Sequence, residues 1–348
     1  EKLRAEVARI EAMGVEIKLN TKIDDVLATK QDGQFDAVFL CIGAQLPRRI
    51  EIVSDDKTPI LEAISVLRDT ELDNPSKLTG HVVIYGGGNT AIDVARTAIR
   101  MGAISATLIA FEAREHMPAH SFEVEEALEE GVALSCLRSI KQVDGRSVTL
   151  ERMRATNERW PEPTGEFENI EADVIVQAIG QDIDVDFLRN IPSVEIKDGI
   201  VQVDGEMRTG AEGLFAGGDM VPSQRTVTTA IGHGKKAARN IDAYLREERY
   251  VPPGKHEIAT SEMLNTWYYS DAPRTVRPML DVVRRKTGFA EIVGDLDEDS
   301  AAFEARRCMS CGNCFECDNC YGVCPDNAIT KLGPGKRFEF KYDYCKGC

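Results

Sequence analysis

Residues His81–Glu112 read HVVIYGGGNTAIDVARTAIRMGAISATLIAFE. HVVIY is an apolar run of strand length, and Gly86-Gly87-Gly88 breaks it. Apolar residues then recur at helical spacing as far as Met101, and ATLIAF is a second buried strand. A strand, a glycine turn, a helix and a returning strand make one βαβ unit, the building block of a doubly wound parallel sheet. The turn Gly86-Gly87-Gly88-Asn89-Thr90-Ala91 fits the pattern G-x-G-x-x-G/A. Gly86 allows the tight turn, Gly88 the close approach of a pyrophosphate, and Ala91 the packing of helix on strand. The helix N-terminus then offers its unpaired N–H groups to phosphate oxygens. The unit predicts a nicotinamide dinucleotide site.

The returning strand ends at Phe111-Glu112, 21 positions after Ala91. An acid there accepts hydrogen bonds from ribose hydroxyls and repels a 2′-phosphate, so Glu112 predicts NAD over NADP. The competing reading is a solvated strand-end glutamate with Arg114 receiving a phosphate. Working outward, Asp36–Gly43 (DAVFLCIG) and Asp173–Gly180 (DVIVQAIG) are two further apolar strands ending in glycine, as buried parallel strands do. Gly180 is placed in the dinucleotide site, and Cys41, Ile42 and Gly43 in a second one. That second site gains Gly218, Asp219, Arg225, Thr226, Val227 and Ala230 from the stretch FAGGD and RTVTTA. There an acid after a buried strand stands just before a fresh helix N-terminus. The acid suits a ribityl hydroxyl and the helix dipole suits the electron-rich edge of a flavin. Asp219 could equally cap a turn.

Weaker signals fill in the rest. Leu3, Val7, Ile10 and Met13 predict a helix ended by Gly14, with a strand over 15–19. Helices are expected over about 59–70, 122–130 and 227–249, and β segments over 148–154, 169–172, 200–203 and 214–216. Pro252-Pro253-Gly254 is the best linker, followed by a mostly helical basic stretch.

The chain has 348 residues, enough for two or three domains, with 43% hydrophobic and 29% charged residues. The formal charge of −16 argues against nucleic acid or an anionic membrane as partner. No apolar run has the length of a membrane span and no secretory signal is visible. Eight of the ten cysteines lie between Cys308 and Cys348. Such crowding predicts metal ligation in a reducing, cytoplasmic compartment rather than a disulfide framework. Cys41 and Cys136 sit alone in apolar segments and are expected as buried core thiols.

Cys314-x2-Cys317-x2-Cys320-x3-Cys324-Pro325 matches the two-cluster ferredoxin run. Three close thiolates grip one [4Fe-4S] cube, and the cysteine before proline points to a second. Cys345-x2-Cys348 opens the second run. Cys308 and Cys311 are extra to the motif and stay open as spare ligands, a further site or inert thiols.

Three stretches carry a resemblance: Gly86–Arg96 (GGGNTAIDVAR), Met117–Glu130 (MPAHSFEVEEALEE) and Phe215–Tyr244. Over residues 1 to 248 the chain resembles the small subunit of glutamate synthase and its relatives, including the electron-input half of dihydropyrimidine dehydrogenase. The resemblance implies an FAD domain interrupted by a nicotinamide domain, with Asp36–Ala44 and Thr209–Ala230 in the FAD half. It also implies a first FAD glycine motif that has no counterpart here, so a longer native polypeptide is expected at both ends. NADPH-using members carry two arginines where this chain has Phe111-Glu112. Trp267–Arg285 and Arg306–Pro325 narrow the likeness to flavoproteins with a C-terminal ferredoxin domain. Among these is the NADH-binding subunit of phenylglyoxylate:NAD oxidoreductase and related 2-oxoacid oxidoreductases.

The expected fold is therefore α/β, with two nested doubly wound dinucleotide-binding domains plus a small ferredoxin-like domain. The expected divisions are 1–48 and 183–250 for FAD, 49–77 as connector, 78–182 for NAD, 251–305 as helical linker and 306–348 for two [4Fe-4S] clusters. The expected role is an electron-transfer subunit working beside thiamine-diphosphate and iron–sulfur subunits, since no thiamine-diphosphate signature is present. Three rivals are kept: an NADPH-oxidising input subunit of glutamate synthase type, a disulfide reductase, and a scaffold that has lost flavin. The disulfide reductase needs a cysteine pair, and Cys41 has no neighbour in sequence.

Overall fold

The structure is a computed structural model. It describes residues 2–71, 78–156, 160–252, 271–307, 318–333, 336 and 338–345. The chain divides into two compact units, 1–252 and 253–348.

The first unit opens with α1 (Lys2–Ala12) and α2 (Val26–Asp32), then β1 (Val38–Leu40), β2 (Leu46–Pro47), β3 (Val53–Ser54), β4 (Ile60–Glu62) and α3 (Ala63–Glu71). The decisive stretch gives β5 (His81–Tyr85), α4 (Asn89–Arg100) and β6 (Ser105–Ile109), followed by α5 (Ser121–Glu129) and β7 (Ala133–Ser135). A long hairpin follows as β8 (Arg138–Asp144), β9 (Ser147–Arg154) and β10 (Glu162–Glu171), then β11 (Val174–Gln177) and β12 (Gln181–Asp182). The unit closes with β13 (Ile196–Lys197), β14 (Ile200–Val201), β15 (Leu214–Ala216) and α6 (Val227–Leu245).

Strands β4, β11, β5, β6 and β7 form one parallel sheet in that order. The pleat sends alternate residues of β5 to opposite faces. Val82 and Ile84 join Ile92, Val94, Ala95, Val124 and Ala127 under the helices, while Val83 and Tyr85 join Ile140, Val143, Val148 and Leu150 of the hairpin. The result is three layers, with helices on one face of the parallel sheet and an antiparallel sheet on the other. A continuous apolar run such as HVVIY is what a strand buried on both faces requires.

A second core gathers around β1, β15 and α6, where Leu40, Leu214, Ala216, Met220 and Ala237 are buried together. Here β1 pairs in parallel with β15, its one partner among the described residues. The opposite edge of β1 borders an open cavity of about 1230 Å³ walled by Phe39, Leu40, Cys41, Ile42 and Leu46.

Several sequence expectations need correction. No strand forms over 15–19, and the apolar residues of α1 are exposed, because nothing among the described residues packs on them. The segment 59–70 starts as the short edge strand β4, whose Ile60–Glu62 pair with β11, before α3 begins. Cys41 is exposed rather than a core thiol: it lies one residue past the end of β1, on the cavity wall. Cys136 is half-buried against the nicotinamide-side core, and burial pushes its thiol up.

The second unit, taken by itself, carries α7 (Val282–Lys286), α8 (Glu298–Arg306), α9 (Asn319–Val323), β16 (Ile329–Lys331) and β17 (Phe338–Phe340). Its basic stretch is less helical than expected, since between 271 and 297 only α7 is helical. Glu304 of α8 accepts from the Thr275 backbone N–H at 2.9 Å and hydroxyl at 2.6 Å, and pairs with Arg307 at 2.7 Å.

Candidate functional site

The glycines between β5 and α4 are held by backbone hydrogen bonds. The Gly86 N–H donates to the Ile109 carbonyl at 2.9 Å, and the Gly87 carbonyl accepts from Ala119 at 3.1 Å. Gly86 has φ +148, and a Cβ there would meet the Ala178 carbonyl oxygen at 2.2 Å. No side chain can replace it without moving β11. Gly88 caps α4 with no side-chain hydrogen bond, and a Cβ on it would point into open space. The first N–H groups of a twelve-residue helix therefore face an open approach, which is the cradle a pyrophosphate needs.

Glu112 leans back over this turn. Its Oε2 lies 2.8 Å from where a Cβ on Gly87 would stand. Strand β6 ends at Ile109, earlier than its apolar run suggests, and Glu112 lies three residues beyond it, facing the glycine turn at the end of β5. Asn89 also holds the neighbouring loop: its Oδ1 accepts the His120 N–H at 2.9 Å and docks the MPAH loop on the turn. Thr90 is half-buried beside it and Ala91 is fully buried under the helix. Gly180 has φ +114, is exposed, and accepts from the Arg48 N–H at 3.0 Å.

The helix behind the turn is anchored by charge. Arg96 of α4 grips the wholly buried Glu130 with two bonds of 2.9 and 2.5 Å and reaches Glu126 at 2.9 Å. Arg100 adds a contact to Glu130 at 3.4 Å. A buried carboxylate with this many charged donors is satisfied, so α4 is clamped to the C-terminal end of α5.

The second candidate turn follows β15. Gly217 is sandwiched so closely that a Cβ would meet the Phe39 ring at 2.7 Å and His233 Cβ at 3.0 Å. Gly218 has φ +73, and its N–H donates to His233 Nδ1 at 3.2 Å. That bond makes His233 a support of the turn, a role sequence reading missed because nothing in GHGKK marks it. Asp219 is half-buried, and its carboxylate has no partner among the described residues. Arg225 has φ +51 and sends Nη1 to the Gln181 carbonyl at 3.0 Å. Thr226 caps α6, accepting the Thr229 N–H at 3.2 Å. Val227 is exposed on the first turn, and Ala230 lies 3.9 Å from a Cβ built on Gly218. Cys41, Ile42 and Gly43 lie on the cavity wall beside β1. The close-packed glycines, the half-buried Asp219 and the capped N-terminus of α6 are together compatible with a second dinucleotide.

Of the expected cluster ligands, Cys308, Cys311, Cys314, Cys317 and Cys348 lie outside the described residues. Cys320 and Cys324 are half-buried and Cys345 is exposed. The Cys324 Sγ accepts the N–H of the buried Ala328 at 3.2 Å, a bond that suits a thiolate bound to iron. Among the described residues no group of three metal-ligating side chains comes together.

The sequence profile of the family described as pyridine nucleotide-disulphide oxidoreductase matches residues 1–234. The chain belongs to this family. Among curated relatives it is 32% identical to the NADP(+)-dependent formate dehydrogenase subunit beta of Moorella thermoacetica, covering 89% of this chain and 47% of that one. It is 30% identical to the NADPH-Fe(3+) oxidoreductase subunit beta of Geobacter sulfurreducens, covering 89% and 53%. To a putative glutamate synthase [NADPH] small chain of Cereibacter sphaeroides it is 31% identical, covering 70% and 65%. The chain thus spans about half the length of the first two of these relatives. Among solved structures, Mycobacterium tuberculosis FprA in complex with NADPH superposes with a TM-score of 0.53 at 16% identity, covering 67% of this chain and 70% of that one. That likeness shows a shared fold. Among the described residues no helix is long and apolar enough to cross a membrane. The disulphide in the family's name finds no cysteine pair beside the second turn in this sequence.

Proposed function

We propose that the chain is the electron-transfer subunit of a larger complex, moving electrons between [4Fe-4S] clusters, FAD and NAD(H). One observation carries this reading: a single chain holds a glycine turn opening directly on α4, a second glycine turn a short loop ahead of α6, and a CxxCxxCxxxCP run beyond them. Gly86–Ala91 with Gly180 would hold the nicotinamide dinucleotide. Gly218, Asp219 and Arg225–Ala230, with Cys41–Gly43, would hold FAD. Cys314, Cys317 and Cys320 would bind one cluster, and Cys324, Cys345 and Cys348 another. FAD, when bound, supplies exchange between two-electron hydride and one-electron cluster chemistry. The protein's part is to hold Glu112 at the ribose, Asp219 at the second dinucleotide, and water away from both.

For the partner, we propose the core of a 2-oxoacid oxidoreductase, phenylglyoxylate-like, delivering electrons to NAD⁺. The second reading is an NADPH-oxidising subunit. It is favoured by the names of two relatives, one NADP(+)-dependent and one using NADPH. Glu112 over Gly87 favours the first.

The test is flavin, iron and sulfide analysis of the native complex, with NADH and NADPH compared as donors. FAD and about eight irons, with NADH preferred, are expected. Clusters without flavin would sink the proposal. Cys317→Ser should then deplete iron and block flow between partner and nucleotide while leaving NADH-driven dye reduction at the flavin intact.

A further inference from the structure

The hairpin β9–β10 brings Trp160 to the strand end that carries Glu112. The Trp160 and Phe111 ring centroids lie 6.3 Å apart at 51°. The attachment is by backbone and is short. The Leu137 N–H donates to the Glu112 carbonyl at 3.1 Å, the Arg138 N–H to the Ala110 carbonyl at 3.1 Å, and the Met153 N–H to the Leu137 carbonyl at 2.9 Å. Beyond Met153, Arg154 pairs with Glu162 at 2.9 Å and the Thr156 hydroxyl donates to the Trp160 carbonyl at 3.0 Å. The indole packs on Phe111 just past the end of β6, yet it is 59% exposed and belongs to none of the buried cores. A large aromatic at that place keeps much of one ring surface open to solvent.

Its position relative to Glu112 gives it another use. In a site of this kind the acid binds the ribose hydroxyls, and the adenine is joined to that same ribose. The base must therefore lie just outside the strand end, on the side of Phe111 and what packs on it. We infer that Trp160, with Phe111, forms the wall on which the adenine of the nicotinamide dinucleotide stacks. This rests on the reading that Gly86–Ala91 hold that dinucleotide. A planar π face recognises any purine ring, so the wall supplies affinity and Glu112 supplies the choice between NAD and NADP.

The chain has two tryptophans, Trp160 and Trp267, so fluorescence can be assigned by substitution. In the full-length holoprotein, ADP-ribose should quench a part of the emission that Trp160→Phe removes. Trp160→Ala should weaken ADP-ribose and AMP binding about tenfold, within the range that base stacking on an aromatic commands. Nicotinamide mononucleotide, which lacks adenine, should bind both proteins alike, and Trp160→Phe should retain most of the ADP-ribose affinity. Equal loss for ADP-ribose and nicotinamide mononucleotide would mark Trp160 as merely structural and overturn the proposal. Unchanged ADP-ribose affinity without quenching would overturn it too, while leaving the glycine turn in place. A wild type that binds no ADP-ribose overturns the glycine-turn reading and this one with it.

Discussion

Arg225 and Gln181 join the two candidate sites directly, the arginine Nη1 donating to the glutamine carbonyl at 3.0 Å. Gln181 follows Gly180, and Arg225 precedes the cap of α6. Asp182 next door pairs with Arg48 at 2.6 Å, which holds its carboxyl below the usual range, and β12 pairs with β2. The crossing between halves is therefore a small polar knot, exposed and made of single bonds.

Arg225→Ala should loosen the second turn and spare the first. We expect flavin to dissociate about tenfold more readily, with ADP-ribose affinity unchanged, because a charge-assisted bond of this kind contributes about 1–2 kcal/mol. Equilibrium dialysis of flavin and isothermal titration with ADP-ribose separate the two. Equal weakening of both ligands would contradict the assignment.

Glu112→Arg should relax the preference for NAD. Removing the acid takes away two ribose hydrogen bonds, and the new guanidinium can receive a 2′-phosphate. The ratio of kcat/KM for NADH over NADPH should fall by about a hundredfold, equivalent to roughly 3 kcal/mol. A wild type that already prefers NADPH would refute the role given to Glu112.

Glu130→Ala leaves the guanidinium of Arg96 without its buried partner. Breaking such a pair costs about 3–5 kcal/mol, so the nicotinamide half should melt several degrees lower. Because α4 loses its clamp while the glycine turn keeps its backbone bonds, nucleotide affinity should fall less than stability does. Thermal denaturation with and without ADP-ribose reads both.

Glu304 gives the second unit an acid sensitivity. Arg307 and Thr275 hold its carboxyl down to about 2. A depressed carboxyl stabilises the folded form fully above its unfolded value near 4.3, and that contribution is lost as pH falls toward 2. Melting between about pH 5 and pH 2 should therefore show an acid-side decline that Glu304→Gln flattens. An identical decline in the variant would show that Glu304 is not its source.

Much of the first unit was legible because its chemistry is local. The glycine turn, the helix after it and both flanking strands follow from one stretch, since a doubly buried parallel strand must be apolar throughout. The place of Glu112 was only roughly legible, since the apolar run ATLIAF continues past Ile109, where β6 ends. Strand β8 was missed, as Arg138 and Lys141 interrupt its pattern, although Arg138 spends its charge on Glu168 at 2.5 Å and Lys141 on Glu151 at 2.7 Å. His233 and Trp160 were invisible for another reason. Each acts on residues far away in sequence, and only tertiary contact reveals whom it meets. The strand expected over 15–19 failed because apolar alternation says nothing about whether a neighbour exists to pair with.

Among the described residues β1 pairs with β15 and no other strand, so cooperativity within the first unit is uneven. Amides of β5, β6 and β11 are locked between neighbours on both sides under a closed core, whereas each residue of β1 leans on one neighbour and faces a cavity. Opening of the β1 edge can thus occur without disturbing the parallel sheet, as a separate low-energy fluctuation. In hydrogen exchange the two halves would keep different clocks, the nicotinamide half a slow one and the flavin half a fast one that a ligand filling the cavity would slow.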